Sequence, residues 1–186
     1  MKTIALMGLL IVLTALYKLP PPDKNEAKAA FELLNKIRQS PMKYADSMPF
    51  LKELKAMPQL RWNDTLARVA EAKALDMATR NYFAHVDPDG YAMNYYINKA
   101  GYKLREIWLT KPTANYFESC NAGATSGQEA IKMLLIDNGV PSLGHRIHLL
   151  GLDEWSSSLL DIGIGYAHSD GKSTYGSYTC VLIAKH

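Results

Sequence analysis

The sequence has few of the features that announce a chemistry locally. It contains two cysteines, and they are far apart, so there is no Cys-x-x-Cys knuckle; there is no His-Glu-x-x-His helix motif either. Charge of one sign is also scarce. The formal net charge is +3 and the basic residues are scattered, which excludes the phosphate-tracking stripe of a nucleic-acid-binding protein. No internal repeat is present, and the only low-complexity tract is Pro20-Pro21-Pro22. The longest apolar run, Ile4 to Leu16, falls short of the ~20 residues of a comfortable membrane span.

What is present fits one domain behind an export segment. The chain has 186 residues, 48% hydrophobic and 21% charged, enough apolar material for a core of its own. Lys2 followed by the apolar run reads as a signal peptide or N-terminal anchor over 1–19, with 20–25 as linker and 26–186 as the domain. Secretion, or residence in the periplasm or cell envelope, follows as the expected location. Membrane contact is expected only through the N-terminal segment if it is not cleaved. An exported Cys120 and Cys180 have one pairing open to them; the alternatives are a bridge and two buried free thiols.

The hydrophobic periods place helices first and strands last. Asp23 and Glu26 have N-cap spacing ahead of Ala27, Ala30, Phe31, Leu34 and Ile37. Asn63 or Asp64 caps the clearest helix, whose stripe of Leu66, Val69, Ala70, Ala74, Met77 and Ala78 runs to about Arg80. Ser126 and Glu129 form a capping box for a helix broken at Asn138-Gly139, and Leu143 to Leu150 makes one or two turns ended by Gly151. The period then changes to two. Ile162, Ile164 and Tyr166 alternate with small residues, Asp170-Gly171 reads as a two-residue hairpin turn, and the run ending at Ala184 is apolar on both faces, as a central strand requires. This order predicts an α+β fold with an antiparallel sheet.

Two histidine segments bracket an acidic one: Phe83-Ala84-His85 with Asp87-Pro88-Asp89-Gly90, then Phe117-Glu118-Ser119, then Gly144-His145-Arg146 after a helix ending near Asp137. His85, His145, Glu118 and Asp137 are the donor types that borderline divalent ions accept. By spacing alone each has a plain alternative. His85 suits a helix C-terminus, Glu118 a pair with Arg146, and Asp137 bonds to turn amides. His145 suits a cap or a packed position at the start of its short helix. His148 reads as packing at the core edge. Ser119 lacks the Gly-x-Ser-x-Gly surroundings of a strained nucleophile.

These segments, with Asn35-Lys36-Ile37-Arg38, Trp62-Asn63 and Asp161-Ile162-Gly163-Ile164-Gly165-Tyr166, resemble in order the CAP superfamily (cysteine-rich secretory protein, antigen 5 and pathogenesis-related 1), here of bacterial type. The resemblance covers nearly all of the chain after the export segment. It implies a three-layer α-β-α sandwich with a central antiparallel sheet, and a cleft in which His85, His145, Glu118 and Asp137 bind a divalent metal such as zinc. The family pattern has Gly-Glu-Asn where this chain has Phe117-Glu118-Ser119, and a longer Glu where it has Asp137. The function implied is that of an exported binding module for a metal and a lipid, peptide or envelope ligand. The alternative is a metal-dependent hydrolase of peptide or envelope polymer. Neutral imidazoles bind metal, so affinity should fall as pH drops through the histidine range.

Overall fold

The structure, a computed structural model, describes residues 19–186. All of the expected export segment except Leu19 lies outside the described residues. The chain runs through α1 (Lys24–Gln39), β1 (Arg61–Trp62), α2 (Asp64–Arg80), α3 (Met93–Lys99), β2 (Glu118–Ala122), α4 (Gly127–Ile136), α5 (Gly144–Leu150), α6 (Glu154–Ser157), β3 (Asp161–His168) and β4 (Ser177–Ala184). Short 3-10 turns at Pro41–Tyr44 and Pro49–Glu53 link α1 to β1.

The helix starts follow side-chain capping. Asp23 accepts from the amides of Asn25 and Glu26, so α1 begins inside the segment expected as linker. Asn63 accepts from Thr65 and Leu66 at the start of α2, and Ser126 accepts from Glu129 at the start of α4. The carboxylate of Glu129 turns to Thr125, and that of Glu26 accepts from the Gly127 amide, tying α1 to α4.

The sheet order is β1-β3-β4-β2. β4 is central and wholly buried, as its two apolar faces require. β3–β4 and β4–β2 are antiparallel; the two-residue β1 adds a parallel edge beside β3. The connection between β3 and β4 is longer than the two-residue turn expected at Asp170-Gly171. It spans 169–176, with Gly171 at φ +79° inside it. Ser173 and Thr174 bond back to Ala78 O and Asn81 Oδ1 at the end of α2, and these contacts hold the wider loop.

Helices contact both faces of the sheet. On one face, Gly163 and Gly165 lie so close to α2 that a Cβ on either would fall 2.1–2.3 Å from the backbone of Leu66, Ala67 or Ala70. The alanine stripe of α2 permits this approach, and Leu66, Ala70, Ala74 and Met77 are fully buried there. On the other face, Ser119 meets His148 of α5, and Asn121 meets Met133 of α4. β2 is therefore an edge strand with helical residues on either side of it.

Candidate metal centre

The site is built along β2. The loop that leaves α2 turns at Asn81, which takes the left-handed conformation at φ 51°, and brings Phe83, Ala84 and His85 to this strand. Lys73, buried in α2, secures the loop: its ammonium donates to Tyr82 Oη (3.2 Å), Ala84 O (2.8 Å) and His85 O (3.3 Å). Asp87 sets the following turn, accepting from the amides of Asp89 and Tyr91 and from the Tyr96 hydroxyl.

His85 Nδ1 lies 2.7 Å from Glu118 Oε2, and the glutamate side chain is fully buried while the imidazole is half exposed. Asn115 Nδ2 donates to the same oxygen at 3.1 Å. Two residues along β2, on the same face of the strand, is Cys120. One donor atom each of His85, Glu118 and Cys120 lie within 4.8 Å of one another. Hydrogen bonds to Cys120 and to Glu118 stabilise the imidazolium and push the His85 pKa up to about 10. The Cys120 thiol is pushed well up by its hydrogen bond to Cys180 and by burial.

The second histidine comes from the helical side. Asp137 ends α4 in the left-handed conformation, φ 54°, which turns its carboxylate toward the start of α5. Oδ1 lies 2.7 Å from His145 Nδ1, and Oδ2 accepts from the amides of His145 (3.0 Å) and Arg146 (3.2 Å). Asp137 thus bonds turn amides and orients an imidazole together. Arg146 does not pair with Glu118. Its guanidinium donates to Leu135 O and Ile136 O and lies over the Phe50 ring.

Both histidines, Asp137 and Cys120 line one cleft of about 650 Å³, whose rim carries Phe83, Met133, Ile136 and Tyr175. These four side chains are exposed by 39–47%. Glu118 sits behind the wall, reaching the cleft through His85. The four residues named from the sequence therefore form two carboxylate–imidazole pairs facing one hollow. In each pair the acid takes Nδ1, the arrangement that fixes a ring so its other nitrogen can ligate.

Sequence reasoning does not reach Cys120 as a donor. Its signal is the alternation Glu118-Ser119-Cys120, which becomes visible only once that segment is known to be a strand. Ser119 faces the opposite way, 2.7 Å from His148 Nδ1, and both are buried. Burial lowers the His148 pKa to about 4, so this is a packed, uncharged pair that is not part of the cleft lining.

The chain belongs to the CAP family: the model of the cysteine-rich secretory protein family matches residues 31–182. A search among curated proteins finds no match. Solved structures share the fold. An outer surface protein of Borrelia burgdorferi is 15% identical, with a TM-score of 0.57 over 88% of this chain and 95% of that one. An extracellular protein containing an SCP domain from Bacillus anthracis is 20% identical, with a TM-score of 0.51 over 88% of this chain and 41% of that one. No described helix is long and apolar enough to cross a membrane.

Proposed function

We propose that this chain is an exported or envelope-associated CAP-domain protein whose cleft binds a divalent metal and, against its apolar rim, a small or extended ligand. The observation that carries the reading is the convergence of imidazole, carboxylate and thiol donors within 4.8 Å, in a cleft that His145 and Asp137 also line. An imidazole, carboxylate and thiol set suits zinc and similar borderline ions and is poor for magnesium or calcium. His85, aligned by Glu118, and Cys120 would hold the ion, and His145, steadied by Asp137, lines the same cleft. The relatives described as extracellular or outer-surface proteins support export.

Binding is favoured over hydrolysis. The serine–histidine pair of Ser119 on β2 and His148 on α5 is buried, and neither residue is part of the cleft lining, so no activated serine faces a ligand there.

The test is a zinc titration of the melting temperature of the chain lacking residues 1–18, at pH 6 and pH 8. A saturable rise that is larger at pH 8 and lost in His85→Ala is expected. No rise, or the same rise in the variant, would remove the metal from this proposal.

A further inference from the structure

Cys120 and Cys180 are direct partners across the β2–β4 ladder, and both are free, buried thiols. Their kind of pairing can be read from the bonds at the two ends of this ladder. Ile183 N donates to Phe117 O, and Gly123 N donates to Ser177 O, each at 2.9 Å. Phe117/Ile183 and Gly123/Ser177 are therefore hydrogen-bonded pairs. Bonded and non-bonded pairs alternate along an antiparallel ladder, so Cys120/Cys180 falls in a non-hydrogen-bonded pair. Such partners have Cα atoms about 4.5 Å apart, with side chains close together. That separation lies at the short end of the ~4.4–6.8 Å range that a disulfide spans. Cys180 Sγ donates to Glu118 Oε1 at 3.6 Å. Cys120 borders the cleft; Cys180 lies behind it with no exposed surface.

We infer that Cys120 and Cys180 form a reversible disulfide that withdraws Cys120 from the donor set, so that thiol redox state gates metal binding in the cleft. This rests on the metal-binding proposal above. The oxidant is a small disulfide entering the cleft. The Cys120 thiolate attacks one of its sulfurs, forming a mixed disulfide and expelling one thiolate. The Cys180 thiolate then attacks Cys120 Sγ and expels the second thiolate. The two thiol protons pass to the two leaving groups, the protein loses two electrons, and the small disulfide gains them. Cys120 reacts first because it alone of the two borders the cleft, and Cys180 resolves because it faces Cys120 across the ladder. A metal held by Cys120 blocks the first attack, so metal and disulfide exclude each other.

The experiment uses hydroxyethyl disulfide as oxidant, intact mass as one readout and zinc affinity as the other. The wild type should lose two hydrogens, Cys180→Ser should trap a mixed disulfide on Cys120, and Cys120→Ser should not react. Zinc should slow the wild-type reaction. Reduced wild type and reduced Cys180→Ser should bind zinc with similar affinity, oxidised wild type at least ~10-fold more weakly, and dithiothreitol should restore it. Equal zinc affinity in oxidised and reduced wild type would overturn the gating while leaving the metal site standing. Zinc binding to neither form would overturn both. Failure of the folded wild type to form the bridge under conditions that oxidise the urea-unfolded chain would also overturn the inference.

Discussion

Lys73 and His85 are joined through the main chain: the buried ammonium of Lys73 donates to the His85 carbonyl at 3.3 Å and to that of Ala84 at 2.8 Å. The cation holds the backbone that presents the imidazole, while Glu118 aligns the ring itself. Replacing Lys73 by Met keeps much of the side chain's bulk and removes the donor. Carbonyls left without partners cost about 1–3 kcal/mol, which urea unfolding should register. Zinc affinity should fall with it, by about 10-fold, because the loop can then leave β2.

Asp137 is expected to act through His145. Asp137→Asn retains a residue that tolerates the left-handed conformation and keeps an oxygen for the α5 amides, but loses the charge beside Nδ1. Its melting temperature should stay close to wild type, with zinc affinity about 10-fold lower. Asp137→Ala loses both roles at a position with φ 54°, so it should lose stability as well. Equal zinc affinity in wild type and Asp137→Asn would show that the carboxylate is a turn fixture alone.

Two histidines should bound the pH range of metal-free stability. His85 is raised by its bonds to Cys120 and Glu118. Its contribution is complete below the unfolded histidine pKa of about 6.5 and is lost as pH rises toward 10. His148 is lowered by burial. The unfolded chain therefore takes up a proton that the folded chain refuses, and stability falls as pH drops from about 6.5 toward 4. The loss from His148 is about 3 kcal/mol when complete. Urea unfolding of the metal-free chain from about pH 4 to 10 should show greatest stability near pH 6–7. His85→Gln should flatten the alkaline limb, and His148→Gln the acid one.

Much of this architecture is legible in the sequence because it depends on local chemistry. The cap at Asn63, the alanine stripe of α2 and the two-faced apolar run of β4 each act within a few residues. The helix at Gly144–Leu150 and its stop at Gly151 are of the same kind. The β3–β4 connection exceeds its local signal because Asp170-Gly171 marks a turn, while the contacts that widen the loop, from Ser173 and Thr174 to the end of α2, cross more than ninety residues of sequence. His85 and His145 are legible through motif resemblance, and their acids through order along the chain. The thiol at Cys120 is not, because its place beside His85 is set by strand register.

Crowding at β3 should be measurable. Gly163→Ala would set a methyl carbon 2.1 Å from Ala67 N, and Gly165→Ala one 2.3 Å from Ala70 O. Backbone cannot yield as a flexible side chain does, so each should cost about 3 kcal/mol or more in urea unfolding.

The same close approach reaches further than stability. α2 lies directly on two glycines at one end, and its other end delivers the loop carrying His85 to β2. The glycines thus serve as a gauge for how far that imidazole stands from the edge strand. A single added carbon on β3, remote from the hollow, would lift the helix like a shim under a beam and widen the gap between ring and thiol. Tuning of this centre can therefore be inherited through positions that never touch an ion.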